Sequence, residues 1–216
     1  MYINIRHIDK VLPVEVVVDK NQKHKTSMQK QKKNVDANIE AASTERGVSV
    51  LLTGNGKGKS SSAFGMVMRA LGYGQKVAVI QFIKGQQLSG EEIYVREQCP
   101  QVTFYQMGTG FTWDTQDREA DILAAKRTWD QVVPLLKDPS YDLVVLDELT
   151  YMLSFKYLDE DVVLNALKNR PVEQSVVVTG RGGGTGLQEL MDTVSEVKDS
   201  KHAYASGIKA RKGVDY

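Results

Sequence analysis

Hydrophobic and polar positions fall into blocks along most of this chain. Short apolar runs rich in valine, leucine and isoleucine predict strands at 48–52, 76–82, 102–107, 143–148 and 175–179, with edge strands at 194–197 and 201–205. The main runs are apolar throughout and do not alternate with polar residues. That pattern is typical of a parallel sheet covered on both faces by helices. Stretches with helical spacing lie between the runs, and they predict helices at 58–71, 117–136, 160–168 and 187–192.

The residues before the first core strand follow a different pattern. A β-branched run at 14–18 predicts a short strand, and residues 20–33 carry six lysines and no acid. We interpret the lysine-rich stretch as a mobile basic arm, and we predict a helix from Met28 to Glu45 that ends before Gly47. The predicted organisation is a flexible N-terminal extension over 1–27, a helix or lid over 28–46, and one main domain over 47–216.

The stretch after the first core strand has the form of a phosphate-binding loop. Its glycines allow backbone N–H groups to point inward at phosphate oxygens, and the following helix begins with its partial positive charge toward them. Lys59 would reach the terminal phosphates, and the Ser60 hydroxyl would ligate Mg²⁺. The predicted nucleotide-binding residues of the loop are Gly54, Asn55, Gly56, Lys57, Gly58, Lys59 and Ser60.

This loop departs from the usual G-x-x-x-x-G-K-[ST] template at its start, where Thr53 takes the place of the first glycine. The Gly-Lys-Ser end agrees with the template, and the context of strand, loop and helix is the expected one. The fold class predicted from these patterns is therefore α/β, P-loop NTPase-like (RecA-like), with a mostly parallel sheet.

Three further strand ends carry candidate chemistry. Asp147 and Glu148 follow four apolar residues, where a carboxylate of a P-loop protein holds Mg²⁺ directly or through water. The loop after the third strand presents Phe111 and Trp113 between glycines, either as an apolar wall for a flat ligand or as a loop anchor. Arg181 follows the fifth strand in a glycine-rich loop and would clamp phosphate oxygens. All three loops are expected at the same sheet edge, where open α/β sheets bind ligands.

Composition narrows the classes of function. The chain has 216 residues, 41% hydrophobic and 25% charged, with a formal net charge of +1. These values are typical of a globular protein and give no general affinity for nucleic acid or membranes. The lysine-rich stretch lacks the aromatic residues that stack on bases, so nucleic acid is not an expected partner. Cys99, as the single cysteine, excludes an internal disulfide. A cytoplasmic protein without a membrane span or signal peptide is expected.

Two hypotheses rest on these motifs alone, and there is a third. ATP hydrolysis with Glu148 and water, or phosphoryl transfer to a small molecule, would yield ADP or phosphate as a product. A non-catalytic nucleotide-responsive module would instead use the lysine-rich arm, and its binding to nucleic acid would weaken steeply with salt. The third hypothesis depends on a resemblance to a known family.

Several motifs together resemble the ATP:corrinoid adenosyltransferases of cobalamin synthesis and salvage. The resemblance extends from about residue 28 to the C-terminus and is carried by residues 53–60, 63–65, 81–85, 107–113, 145–151 and 213–216. It implies transfer of the 5′-deoxyadenosyl group of ATP to cobalt(I) of a corrinoid (cobalamin, cobinamide or cobyrinic acid a,c-diamide), with release of triphosphate. It also implies that ATP lies reversed relative to other P-loop enzymes.

The same resemblance implies roles for individual residues. Ser60 and Glu148 match the family's Mg²⁺ positions, with Asp147 beside them, and Lys59 would act on the triphosphate. Phe111 and Trp113 match aromatic residues that pack under the corrinoid and displace its lower axial ligand. The helix at 28–46 resembles a segment that closes over the corrinoid of the partner subunit in a homodimer, and a flavin-type electron donor is the expected transient partner.

Two positions depart from the family pattern. The family often has threonine where Ser60 stands, and both residues supply a hydroxyl. After Arg181, some members carry bulkier polar residues where this chain has Gly183, Gly184, Thr185 and Gly186. The contacts of this loop are therefore not predictable from the resemblance.

Overall fold

Six parallel strands form the sheet of the computed structural model, which describes residues 14–83, 88–108 and 117–216. The order of the strands across the sheet is β3-β2-β4-β5-β1-β6, and every neighbouring pair is parallel. The strands are β1 Ser49–Thr53, β2 Val77–Gln81, β3 Thr103–Gln106, β4 Leu143–Asp147, β5 Ser175–Thr179 and β6 Thr193–Glu196. The predicted α/β fold is confirmed, and β5 separates the strand of the phosphate loop from the strand of the acidic pair.

Helices connect these strands. They are α2 Lys59–Gly72, α3 Gly90–Gln98, α4 Arg118–Lys137, α5 Leu149–Ser154, α6 Glu160–Lys168 and α7 Gly184–Leu190. Side chains cap several of them, because Ser89, Asp117 and Asp159 each accept a backbone N–H of the first turn. The sequence pattern predicted neither α3 nor the single-turn helix α5.

Alternate residues of each central strand face opposite sides of the sheet, so both sides carry a core. Val144 and Leu146 of β4 face one core with α4, α6 and α7, and Leu143 and Val145 face the other core with α2. Burial on both sides explains why the central strands are apolar at successive positions.

The chain divides into two compact units, 1–45 and 46–216. In the first unit, α1 extends over Val14–Ala41, so the strand predicted at 14–18 is wrong and the helix begins at Val14 instead of Met28. Ion pairs at i,i+4 spacing support the lysine-rich part of this helix, between Lys23 and Asp19 (2.6 Å) and between Lys32 and Asp36 (2.8 Å).

The second unit ends in irregular structure after β6. A single 3₁₀ turn at Ala203–Ser206 occupies the place of the edge strand predicted at 201–205, which is wrong. His202 caps this turn by accepting the N–H of Tyr204, and Gly207 ends it at φ 74°. Local capping and a left-handed glycine therefore reverse the chain where a strand would have continued.

Candidate nucleotide-binding site

A cavity of about 630 Å³ lies at the carboxyl edge of the sheet. The phosphate loop, the end of β4 and the loop after β5 line one side of it, as predicted for the topology. The predicted residues that line this cavity are Asn55, Gly56, Lys57, Gly58, Lys59, Ser60, Asp147, Glu148 and Arg181. Gly54 lies in the same loop, whereas Phe111 and Trp113 fall outside the described residues.

The phosphate loop is packed so closely that two of its glycines leave no room for a side chain. A Cβ at Gly54, where φ is 100°, would lie 2.5 Å from the carbonyl oxygen of Val197. A Cβ at Gly56 would lie 2.6 Å from the carbonyl oxygen of Lys198. The residues after β6 therefore support the loop from behind and require glycine at both positions.

Thr53 has a contact of its own at the start of the loop. Its hydroxyl donates a hydrogen bond of 2.7 Å to the carbonyl oxygen of Gly182. This bond joins the phosphate loop to the glycine-rich loop after β5. The residue that departs from the usual template thus connects the two loops that carry Lys59 and Arg181.

Lys59 is the first residue of α2 and is almost fully buried. Its ammonium donates a hydrogen bond of 2.8 Å to the carbonyl oxygen of Gly56. Burial lowers the pKa of Lys59, and the neighbouring Glu148 carboxylate partly opposes this effect by favouring the charged form. The lysine is therefore held on the loop, beside Ser60 and facing the acidic strand end.

Asp147 is buried, and both of its carboxylate oxygens accept hydrogen bonds. Thr179 Oγ1 donates to Oδ1 at 2.6 Å, and Gln81 Nε2 donates to Oδ2 at 3.0 Å. The Thr179 hydroxyl also accepts the backbone N–H of Glu148 at 2.9 Å. These contacts from the two neighbouring strands fix Asp147 and the backbone of Glu148 in one arrangement.

Glu148 differs from its neighbour in having an oxygen available. Its Oε2 atom is buried and has no hydrogen-bond partner within the described residues. Its backbone is left-handed (φ 60°), which turns the side chain away from the strand direction at the N-cap of α5. Burial, and then the charge of Asp147, raise the pKa of Glu148 to about 7, although Lys59 and Arg181 act in the opposite direction. An unpartnered carboxylate oxygen beside a phosphate loop is the group that a divalent cation would use.

Arg181 is positioned by its backbone. Its carbonyl oxygen accepts a hydrogen bond of 2.9 Å from the Thr150 hydroxyl, and its side chain lines the cavity. Gly180 precedes it at φ 137°, and a Cβ there would lie 2.0 Å from Thr150 Oγ1 and 3.1 Å from Glu148 Oε2. Only glycine allows this loop to approach the acidic strand end so closely.

The glycines that depart from the family pattern also have a structural reason. Gly183 and Gly184 both have positive φ angles, 117° and 72°. A Cβ at Gly186 would lie 2.8 Å from Glu160 Oε1 and 3.0 Å from Leu164 Cδ1. Gly186 therefore allows the short helix α7 to pack closely against Glu160 and Leu164 of α6.

Sequence reasoning missed several residues of the site. Gln81 and Thr179 contact Asp147 only because β2 and β5 flank β4 in the sheet, an order that no local pattern reveals. The C-terminal segment was missed as well, although Asp199, His202, Tyr204 and Asp215 line the same cavity. For Gln81 and Thr179, the available signal was a polar residue at the end of a strand. Nothing in the sequence indicated where the C-terminal segment lies.

Comparison with known proteins decides which nucleotide-binding family this site represents. The model of the family described as ATP:corrinoid adenosyltransferase BtuR/CobO/CobP matches residues 45–216. This chain belongs to the ATP:corrinoid adenosyltransferase family. The membership confirms the predicted activity, ATP-dependent transfer of an adenosyl group to a corrinoid.

Individual relatives agree with the family assignment over nearly their whole length. The chain is 52% identical over 198 residues to a corrinoid adenosyltransferase of Pseudomonas aeruginosa, an alignment that covers 92% of this chain and 98% of the relative. It is 46% identical over 196 residues to the corrinoid adenosyltransferase of Escherichia coli K12, with 91% and 99% covered. Corrinoid adenosyltransferase CobA of Salmonella typhimurium is also 46% identical, with the same coverage.

Two absences apply to the described part of the chain. Across residues 14–83, 88–108 and 117–216, no helix combines the length and apolar character needed to cross a membrane. Nor do three or more histidine, cysteine, aspartate or glutamate side chains group there in a way that could hold a metal ion.

Proposed function

We propose that the reaction is a displacement at C5′ of ATP by cobalt(I) of a reduced corrinoid. The electron pair of cobalt(I) forms the cobalt–carbon bond. The bond between C5′ and its oxygen breaks, and that electron pair leaves with the triphosphate. The whole triphosphate is the leaving group, so groups that stabilise its growing negative charge lower the barrier.

The phosphate loop, Lys59 and Arg181 supply that stabilisation in this proposal. Lys59 is buried and already held on the loop, so little reorganisation is needed when the leaving group develops its charge. The backbone N–H groups between Gly54 and Ser60 would bind the phosphate oxygens. Arg181 faces the same cavity and would contact the phosphates as a second fixed charge.

Mg²⁺ fits the acidic strand end of this cavity. The Glu148 carboxylate, through its unpartnered Oε2, and the Ser60 hydroxyl would hold the ion together with phosphate oxygens. Asp147 uses both oxygens in hydrogen bonds, so we assign it to orienting the site and to contact through water. When bound, the ion would neutralise part of the charge on the leaving triphosphate.

The corrinoid side of the reaction rests on Phe111 and Trp113. We propose that these rings pack under the corrinoid and displace its lower axial ligand, which makes cobalt(II) easier to reduce. Replacing either residue with alanine is then expected to spare ATP binding but to abolish most turnover that starts from cobalt(II). Turnover equal to that of the parent, measured under anaerobic conditions, would refute this role.

The remaining assignments are proposals of the same kind. We propose a homodimer in which the part of helix α1 from residue 28 onward closes over the partner's corrinoid, a flavin-type electron donor, and a cytoplasmic location. The adenosyltransferase domain over 47–216 completes this organisation. Sedimentation of the full chain, compared with a chain that begins at residue 47, would test whether the helix contributes to the dimer.

The observation that carries the proposal is the shared cavity in which Lys59, Ser60 and Glu148 face one another at a phosphate loop. The test is anaerobic incubation of the protein with ATP, Mg²⁺ and chemically reduced cobalamin. A light-sensitive adenosylated corrinoid, with one triphosphate released for each, is expected. ADP or phosphate as the product, with unchanged cobalt(I), would contradict it.

A further inference from the structure

Arg181 lies in a loop whose own backbone does little to hold it in one conformation. Gly180, Gly182 and Gly183 surround it with φ angles of 137°, 80° and 117°, all in the left-handed region. Glycine has the widest choice of backbone conformations, so a loop of this composition loses much entropy when it is fixed. Contacts from outside the loop must therefore hold Arg181 in place.

The side chain of Arg181 does not supply those contacts. It is exposed and lines the nucleotide cavity. In the part of the chain that the structure describes, no hydrogen bond or ion pair joins its guanidinium to another residue. The direction in which the guanidinium points therefore depends on how the backbone of the loop is held.

Two threonine hydroxyls hold this backbone. Thr150 Oγ1 donates to the carbonyl oxygen of Arg181 at 2.9 Å, and Thr53 Oγ1 donates to the carbonyl oxygen of Gly182 at 2.7 Å. Both side chains are buried, and we call Thr53 and Thr150 the threonine pair. Two successive carbonyl groups of the loop are thus each bound by a hydroxyl from another element.

The threonine pair connects this loop to the two other parts of the site. Thr53 ends β1, where the phosphate loop begins, and Thr150 lies in α5, two residues after Glu148. The N–H of Gly180 also donates to the carbonyl oxygen of Leu52 at 3.2 Å, which fixes the start of the loop but not the two residues that follow. The threonine pair fixes those two residues.

Charge effects agree with this position of Arg181. Burial lowers the pKa of Lys59, and the positive charge of Arg181 adds to that effect. Burial and the charge of Asp147 raise the pKa of Glu148, and Arg181 acts in the opposite direction. Arg181 is thus close enough to influence both groups at which the triphosphate and its metal are proposed to bind.

We propose that the threonine pair consists of positioning residues, which hold Arg181 in the orientation that stabilises the leaving triphosphate. The inference rests on the proposed function, because it assumes that Arg181 contacts the phosphates. It also gives Thr53 a role that the usual first glycine of a phosphate loop could not perform, since glycine has no hydroxyl to donate.

Thr53→Val tests the proposal, because it removes the hydroxyl at nearly constant volume. In the parent background, kcat/KM for ATP is expected to fall roughly tenfold, since misplacing a group by about 1 Å can cost up to about 10²-fold. In an Arg181→Met background, the same change should cost less than about twofold, because no guanidinium remains to be positioned. Thr53→Ser restores the donor and should recover most of the loss.

Thr150→Val removes the other hydroxyl and should show the same dependence on Arg181. Thr103→Val is the matched control, because Thr103 Oγ1 makes a partly buried hydrogen bond of 2.7 Å with Tyr141 Oη, and Thr103 does not line the cavity. Its kcat/KM should equal that of the parent in both backgrounds. Urea unfolding of each variant shows that the proteins compared are folded.

Parent activity in Thr53→Val would overturn the proposal. Equal losses from Thr53→Val in the two backgrounds would also overturn it, because they would show that the hydroxyl acts independently of Arg181. So would a loss in Thr53→Ser as large as that in Thr53→Val. A failure of the proposed function appears separately, since Arg181→Met alone would then keep the parent kcat/KM, and the positioning role would be refuted with it.

Discussion

The two sides of the nucleotide cavity are built differently. At the sheet edge, Asp147 and Lys59 are 2% and 7% exposed, and hydrogen bonds from neighbouring strands and loops hold them. On the side formed by the C-terminal segment, residues 199–216, Tyr204 is 80% exposed, and an ion pair at the surface attaches the segment. The difference indicates that the chain holds the phosphate-loop side of the cavity in a fixed arrangement and leaves the C-terminal side less constrained.

Physical chemistry explains why the two sides need different construction. A charge stabilises a leaving group most when it is desolvated and already oriented, which requires a buried network. Contacts that change little between substrate and transition state affect KM more than kcat, and they do not require a buried network. Variants on the two sides should therefore separate in their kinetics.

The largest effect is expected from the loop lysines. Lys59→Met should lower kcat/KM by roughly 10²–10³-fold, the usual cost of removing one preorganised group that stabilises developing charge. Lys57→Met is the matched control in the same loop, because Lys57 is half exposed and paired with Asp215. The kcat/KM of Lys57→Met should fall tenfold or less. Equal losses in the two variants, measured by adenosyltransferase assay, would contradict the division between buried and exposed groups.

The next effect concerns pH and Glu148. Mg²⁺ requires the carboxylate, and the pKa of Glu148 in the free protein is raised to about 7. The affinity for ATP with Mg²⁺ should therefore fall about tenfold per pH unit below 7. Glu148→Gln should bind more weakly at pH 8 and show a flatter profile. Calorimetric titrations with ATP and Mg²⁺ between pH 5.5 and 8 would reveal this difference between the parent and Glu148→Gln. Parallel profiles of the two proteins would rule out Glu148 as the ligand.

A lower pH weakens the binding of Mg²⁺ through Glu148, but it stabilises the fold of the free protein through the same group. Between pH 4.5 and 7 the folded protein keeps the proton on Glu148, whereas the unfolded chain has released it. The stabilisation from this group is thus fully present below about pH 4.5 and is lost as pH rises through 7, by roughly 3 kcal/mol. Urea unfolding of the parent against Glu148→Gln should show this slope in the parent alone.

A smaller effect is expected from the buried network. Thr179→Val removes a hydroxyl that both donates to Asp147 and accepts from Glu148, at nearly constant volume. The free energy of unfolding should fall by about 1–3 kcal/mol, because two buried polar groups lose their partner. Thr193→Val on the exposed strand β6 is the control and should change stability by less than about 0.5 kcal/mol. Denaturant curves that move equally would show that the network contributes nothing particular.

The smallest effect is expected at the connection between the two sides. Asp215→Asn removes the charge that pairs with Lys57, and exposed ion pairs contribute only about 0–1 kcal/mol. Stability should hardly change, but the KM for ATP should rise two- to fivefold as the C-terminal segment loses its attachment to the phosphate loop. A KM that depends on salt in the parent and not in the variant would support this role.

The parts of the molecule that the sequence predicted are those that local patterns encode. The apolar runs of β4 and β5 and the Gly-Lys-Ser end of the loop can be interpreted within a window of about ten residues. The helix α5 was missed because it has only six residues and begins after a left-handed Glu148, a conformation that sequence seldom indicates.

The contacts that were not predicted are those between distant segments. Gln81 meets Asp147 through the pairing of β2 with β4, and Lys57 meets Asp215 across most of the chain. The helical state of residues 14–27 was missed for a different reason: the β-branched run at 14–18 was interpreted as a strand, and the lysines after it as a charged arm, although lysine is a good helix former. Phe111 and Trp113 keep their roles as predictions.

The measurement that tests this account most directly is a crystal structure of the protein with ATP and Mg²⁺, without reduced corrinoid so that no turnover occurs. We expect the triphosphate on residues 54–60 and the metal between Ser60 and Glu148. A triphosphate that does not contact Lys59, or a metal held away from Glu148, would contradict the proposed phosphate site.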